Sequence, residues 1–444
     1  MATFAKTFSL ISGISIGLLA AQALTAQTDP GPHPLPSGVA ISRPLAGLQA
    51  YDLAYFKEGQ QRFAEVDSVS GTQPGAAGSG LGPRFNGNSC AQCHAHPSTG
   101  GSSPVVNPQI AMATSFGAQN RIPTFIQQSG PVRVVRFQRN PDGSPDGGVH
   151  ALFVVSGRSD APGCKIVQPD FDAAVRQNNT SFRIPTPLFG AGLIESIAES
   201  TILANLAADG RQKQQMGIRG HENRNGNDGT ITRFGWKAQN KSVLLFAGEA
   251  YNVEQGVTNE LFPNERDETP GCGQKGSPED VTHTDATSPV AGMSDLLGFV
   301  QFMRYLAPLR PAPAGPSESR GSQVFAQIGC AMCHTPMLQT GLISTAPLNN
   351  QPAALYSDLA VHNMGQALND NVTQGLARGN DWRTAPLWGL GSRLFFLHDG
   401  RTTDLVQAVQ AHQSQGSESN QVVGNYNALP AQAKQDLLNF LRSL

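Results

Sequence analysis

The stretch Cys90-Ala-Gln-Cys93-His94 returns later in the chain as Cys330-Ala-Met-Cys333-His334, and these two pentapeptides decide how the rest is read. Cysteines separated by two residues put both sulfurs on one side of a single helical turn. There they can add to the two vinyl groups of one porphyrin as thioethers. The histidine that follows then reaches the iron as its proximal ligand. A structural zinc site would want further Cys or His ligands in matched pairs, and a thioredoxin-like dithiol has no use for the histidine. The pattern predicts two covalently bound haems of the c type, with iron as the metal. Cys90, Cys93 and His94 hold one; Cys330, Cys333 and His334 hold the other.

Upstream of the first motif, the chain begins as an export signal does. Lys6 supplies the positive region, Leu10 to Ala23 is apolar, and Ala21-Gln22-Ala23 or Ala26 offers the cleavage point. The run is too short and too rich in small residues to span a bilayer comfortably. An uncleaved anchor is the competing reading. The expectation is a signal peptide over 1–26 and a periplasmic or secreted mature protein without stable membrane insertion. Two cysteines fall outside the motifs, Cys164 in SDAPGCK and Cys272 in ETPGCGQ. In an oxidising compartment they are expected to pair as a disulfide. A redox-active thiol pair would favour close spacing, which they lack.

Composition narrows the class further. Lys and Arg number 31 against 33 Asp and Glu, a formal charge of -2, so nothing points to nucleic acid as a partner. Gly 48 and Pro 31 make a loop-heavy chain, as expected where loops wrap a large cofactor.

Apolar periodicity places the elements. Leu53, Phe56, Phe63 and Val66 fall near one face of a helix beginning at Ala50. Short strands are expected in VRVVRF and ALFVVSG, and helices near Gly192–Leu206, Ser242–Asn252 and Met293–Leu306. The segment Pro308 to Pro316 (PLRPAPAGP) is the strongest candidate boundary. Beyond it, a helix over Ser317–Ile328 runs into Cys330. A long loop region occupies about 335–400, and helices over Thr403–His412 and Pro430–Leu444 close the chain. The expected fold is mainly α, with two cytochrome c-like haem domains, long loops, and a few short strands inserted in the N-terminal one. The domains are 27–307 and 317–444, joined by the linker 308–316.

The sixth coordination position decides what each haem can do. His412 is the candidate for the C-terminal haem, because it shares a helical face with Leu405 and Val409. His362 and Met364 are the alternatives. His398 and Arg401, in FFLHDGR, are candidates to bind haem propionates. No distal ligand stands out for the N-terminal haem. His96 is too close to His94, while Met112, His150 and His221 read as ordinary surface. An open iron position would admit peroxide or oxygen.

The chain as a whole resembles the di-haem oxidoreductases, relatives of the bacterial di-haem cytochrome c peroxidases. The resemblance is carried by YFKEGQQRFAEVDSVSG, FNGNSCAQCH, PTPLFGAGLIESI, TRFGWKAQ, VTNELFP, IGCAMCHTP, HNMG, DWRTAPLWGLG and FFLHDGRT. In the peroxidases an HDG motif precedes, by fourteen residues, a methionine that ligates the C-terminal haem. Counting from His398 reaches His412, so this chain offers histidine instead. The resemblance further implies a tryptophan between the two haems, matched by Trp236, and a later glutamate as acid/base. Glu260 is the nearest match, with Glu195 and Glu249 as rivals. The distal histidine of the resting peroxidase N-terminal site has no counterpart here.

These readings point to an oxidoreductase in which electrons pass from the C-terminal haem to the N-terminal one. There, peroxide is reduced or oxygen handled. The electron donor would be a small redox protein or a quinol-linked cytochrome. The alternative is a non-catalytic di-haem electron carrier with both irons six-coordinate. An oxygenase acting on an organic substrate is a third reading.

Overall fold

The computed structural model describes Met1 and residues 27–33, 40–273 and 278–444. Apart from Met1, the expected signal peptide lies outside the described residues. The helices that carry the architecture are α1 (Ala50–Ala64), α2 (Val243–Ala250), α3 (Asp295–Tyr305), α4 (Pro316–Ile328), α5 (Leu405–Gln410) and α6 (Ala431–Ser443). The fold is mainly helical, with small antiparallel sheets. One is three-stranded in the order β2-β1-β3, formed by β1 (Val134–Phe137), β2 (Val149–His150) and β3 (Thr180–Arg183). Another pairs β4 (Val361–Asn363) with β5 (Asp381–Arg383), His362 lying opposite Trp382.

Helix starts follow local chemistry. Ser242 and Ser294 cap α2 and α3 by accepting from the amides of Leu245 and Leu297. Pro316 opens α4, where Glu318 accepts from the Gly315 amide at 2.9 Å. Each haem-type motif follows a long helix, α1 or α4, and each of those helices packs across a later one, α3 or α6. Both crossings are made at glycine. A Cβ on Gly59 of α1 would sit 2.1 Å from the Gly298 carbonyl oxygen of α3, and one on Gly321 of α4 would sit 2.0 Å from that of Asp436 in α6.

Two apolar clusters grow from these crossings. One joins Phe56 and Phe63 to Phe299 and Phe302, and extends to Leu338, Leu355 and Trp388 from the far side of the Pro-rich segment. The other centres on Phe325, Leu438 and Phe440. A third cluster, around Phe85 and Phe153, encloses the disulfide between Cys164 and Cys272, the pairing expected from sequence. Residues 308–315 carry no regular structure, and the Ala312 amide donates to the Ser443 carbonyl at 2.7 Å.

Three segments differ from their sequence reading. The helix expected over Gly192–Leu206 is broken into Ala191–Ser196 and Glu199–Ala207. Ile197 is extended there because Thr340 pairs with it and Arg233 takes its carbonyl. The helix expected to reach His412 stops at Gln410. The segment read as helix to Asn252 passes at Tyr251 into one π-helical turn, Tyr251–Gln255.

The Gly321→Ala variant is expected to lose about 1–3 kcal/mol of stability, as overpacking does. Gly424, inside the helix Asn420–Ala428, has nothing within 4 Å of its added Cβ. Gly424→Ala should therefore be neutral or stabilising by ~0.5–1 kcal/mol. Thermal unfolding of the two variants against the parent checks both.

Candidate functional site

Cys90–Cys93 forms a single helical turn ended by His94, at the edge of a cavity of about 1120 Å³. Phe63, Val132, Leu188, Phe246, Phe299 and Met303 are among its apolar walls. The His94 Nδ1 lies 3.0 Å from the Gly101 carbonyl oxygen. An Nδ1–H donated there leaves the lone pair on Nε2, the arrangement that orients a metal-ligating imidazole. Burial holds the His94 pKa down at about 4, so the ring is neutral near pH 7.

The second pentapeptide borders a cavity of about 1400 Å³ walled by Phe325, Leu387, Leu390, Phe396, Leu437 and Leu441. His334 and His412 both line it. Each holds its Nδ1 against a backbone carbonyl, Tyr356 at 3.0 Å and Ala408 at 2.7 Å. Burial lowers both pKa values, His334 to about 4. Burial also pushes the Cys93 and Cys330 thiols up to about 12 and that of Cys90 well above its ordinary value. Thiols of that kind do not serve as reactive thiolates.

The wall between the cavities is Trp236, which lines both. Its indole N–H donates to the Ile184 carbonyl at 2.9 Å, which fixes the ring. Buried guanidinium groups flank it. Arg136 and Arg183 line the first cavity, and each has a buried Nε without a hydrogen-bond partner among the described residues. Arg383 and Arg393 line the second, and neither forms an ion pair with a carboxylate among the described residues. Burial lowers the pKa of both to about 10, and each charge opposes the other or a further arginine. Arg183 is paired with Asp370 at 2.9 Å, but its Nε is free among the described residues. Large apolar chambers, paired cysteines, oriented neutral imidazoles and guanidinium donors facing the cavities fit an anionic macrocycle with two propionates.

The π-helical turn brings Glu254 to the first cavity. Burial raises its pKa to about 7, outweighing the lowering pull of Arg266 and Arg136. Single π turns re-aim the residues they carry and recur at functional sites.

The profile of the family described as "Di-haem oxidoreductase, putative peroxidase" matches residues 140–444. The chain belongs to this di-haem oxidoreductase family. The match covers more than half of the chain and includes the second pentapeptide, while the first lies upstream of it. No curated protein matches in sequence. Among solved structures, hydrazine synthase of Kuenenia stuttgartiensis is 13% identical, with a TM-score of 0.36, over 99% of this chain and 100% of that one. A variant of the diheme peroxidase BthA of Burkholderia thailandensis is 16% identical, with a TM-score of 0.37, over 91% and 87%. A MauG-like protein associated with microbial copper homeostasis is 18% identical, with a TM-score of 0.26, over 36% and 55%.

Family membership gives the chain two haems, and the geometry sorts the residues expected to serve them. Cys90, Cys93 and His94 meet at one cavity; Cys330, Cys333, His334, His398 and His412 meet at the other. His412 reaches the second cavity although α5 ends two residues before it. His398 is buried there, stacked on Trp382 with ring centroids 3.7 Å apart. His362 also lines it, but its ring nitrogens lie 2.9 Å from Asp358 Oδ2 and 2.9 Å from Glu418 Oε2. With both nitrogens occupied, His362 has no lone pair to offer.

Other expectations are corrected. Arg401 does not reach the cavity. It is captured at the surface by Asp399 at 2.8 Å, and the cavity guanidiniums are Arg383 and Arg393. Glu260 is exposed and accepts from the Thr282 amide at 2.8 Å. Glu195 is spent on Arg304 at 2.7 Å and on the Val243 amide at 2.8 Å, at the start of α2. The rival Glu249 accepts from Asn240. None of these three lines the N-terminal cavity; Glu254 does. Sequence reading missed it because it ended the helix at Asn252, and no local residue signals the π turn. Met112 is core rather than surface, and His150 is half-buried against Phe137.

With His412 as a haem ligand, His412→Met would raise the midpoint potential of the haem in the second cavity, since thioether ligation favours ferrous iron. The shift should be on the order of 100 mV, within the ~0.8 V that axial ligation commands. Potentiometric titration followed by absorption spectroscopy measures it.

Proposed function

We propose that this chain is a periplasmic, peroxidase-like oxidoreductase with two covalently attached c-type haems. Each would be carried by a cytochrome c-like unit, over 27–307 and 317–444, with 308–316 between them. The observation that carries the reading is an asymmetry. The C-terminal cavity holds two imidazoles with oriented lone pairs, His334 and His412. The N-terminal cavity holds one imidazole, His94, together with the carboxyl group of Glu254. A haem that His334 and His412 would both hold would suit electron storage and transfer, whereas one that His94 alone would hold beside the Glu254 carboxyl would suit reduction of a small oxidant.

When bound, the haems supply the redox chemistry, the C-terminal one accepting electrons and the N-terminal one passing them to peroxide or oxygen. The protein's own residues do the rest. Cys90 and Cys93, and likewise Cys330 and Cys333, anchor the macrocycles. Arg136 and Arg183 in one cavity and Arg383 and Arg393 in the other offer donors to propionates. Trp236 fills the partition between the two sites with a rigid aromatic ring. Glu254 holds a proton at its carboxyl oxygen near neutral pH, where a general acid works best, and gives it to the leaving oxygen of peroxide. The disulfide between Cys164 and Cys272 supports an oxidising compartment, in keeping with the export signal. No helix among the described residues is long and apolar enough to cross a membrane. The electron donor is then a small redox protein or a quinol-linked cytochrome.

Electron paramagnetic resonance of the ferric protein tests this reading. A high-spin signal that changes when peroxide is added is expected; two low-spin, unresponsive centres would overturn it. Glu254→Gln should lower peroxide turnover by about 10²–10⁴-fold with both haems still attached. Because the acid form is the active one, turnover of the parent should fall as pH rises through about 7. A profile of kcat/KM against pH measures that limb, and it should vanish in the Gln variant.

A further inference from the structure

The π-helical turn that delivers Glu254 also carries Tyr251, which lines the same cavity. Tyr251 is only 3% exposed, and it also lines another cavity, of about 800 Å³. That space is polar, bordered by Arg62, Glu279, Asp280, His283 and Asp295. Among the described residues Tyr251 is the one common to both linings. Its hydroxyl donates to Asp295 Oδ2 at 3.3 Å, and the Asp295 side chain is 36% exposed. The other carboxylate oxygen of Asp295 is held by Arg62 Nη1 at 2.9 Å. Arg62 is fixed in turn by Glu58 at 3.0 Å and the Met293 carbonyl at 2.6 Å. Asp280 anchors the near end of α3, accepting from the amides of Asp295 at 2.8 Å and Leu296 at 2.9 Å. The Tyr251 ring meets Phe299 edge-on, with centroids 4.9 Å apart. Tyr251 thus stands between a polar, acidic space and a largely apolar one.

Reducing peroxide to two waters consumes two protons with two electrons, and Glu254 must be reprotonated after each proton it gives. We propose that Tyr251 and Asp295 form the proton entry to the N-terminal cavity. The Asp295 carboxylate takes a proton from water in the polar cavity. It passes that proton to the Tyr251 oxygen as the phenol releases its own proton on the cavity side, toward Glu254. Both groups return to their starting state; one proton moves inward per cycle and nothing is oxidised or reduced. Burial keeps the phenol far from ionising, so Tyr251 acts as a relay and stores no charge. Arg62 holds Asp295 on the line between the cavities and has no proton to give.

This assignment rests on the reading of Glu254 as the acid of the N-terminal cavity. The test uses the full-length protein with both haems attached. Infrared spectra recorded after dilution into D2O follow the carbonyl stretch of the protonated Glu254 carboxyl, and Glu254→Gln identifies the band. In Tyr251→Phe, which keeps the ring against Phe299, exchange to the deuterated form should slow at least tenfold with the ferric haem absorption unchanged. Asp295→Asn breaks the other end of the path and should slow exchange to a similar degree. The solvent isotope effect on peroxide turnover should rise in both. Exchange as fast as in the parent in both variants would overturn the proposal, as would a spectrum from which Glu254→Gln removes no band. Slowed exchange in a protein that does not turn over peroxide would uphold the proton path and sink the peroxidase reading, so the two failures are distinct.

Discussion

Two helix pairs in this chain touch backbone to backbone, and much of the molecule is arranged by that contact. Where Gly59 meets Gly298 and Gly321 meets Asp436, any Cβ would collide with a carbonyl oxygen at close to 2 Å. The helices therefore cross nearer than ordinary side chains permit, and Phe56, Phe63, Phe299 and Phe302 close around one crossing as Phe325, Leu438 and Phe440 do around the other. The second motif begins directly beyond α4, at Cys330, so that crossing sets where its cysteines lie. The first motif begins at Cys90, after the loop segment 65–89 that follows Ala64.

The two sites are built alike but finished differently. In both, the histidine of the pentapeptide is held through Nδ1 by a backbone carbonyl, Gly101 in one and Tyr356 in the other. The C-terminal site adds a second imidazole from the end of α5, itself tied to the Ala408 carbonyl. The N-terminal site adds instead a π turn bearing Glu254 and Tyr251. One cavity is completed with a second imidazole, and the other with a carboxyl group and a phenol. Trp236 is the wall they share.

Much of this was legible in the chain. The repeated pentapeptide carries its chemistry in five adjacent residues, so no knowledge of the fold is needed to read it. The stripes of α1, α4 and α6 follow the helical period, and the pairing of Cys164 with Cys272 follows from their being outside the motifs. The carboxyl group of the first cavity was not legible. Glu254 reaches its cavity through one extra residue in a helical turn, a backbone event that side-chain periodicity does not report. Arg401 misled for a related reason. It stands beside His398 in sequence, yet Asp399 between them turns it outward, while Arg383 and Arg393 arrive from separate segments. Residues adjacent in the chain and the leftover cysteine pair were readable; the carboxyl and guanidinium groups brought in by separate turns and strands were not.

The guanidinium groups at the second cavity have a bearing on stability. Arg383 and Arg393 are taken out of water close to one another, without a carboxylate among the described residues to balance them. Such a pair is costly to bury until an anion arrives. An anionic group bound in this chamber would supply the missing charge, so its binding would stabilise the folded chamber by the same interaction that holds the anion.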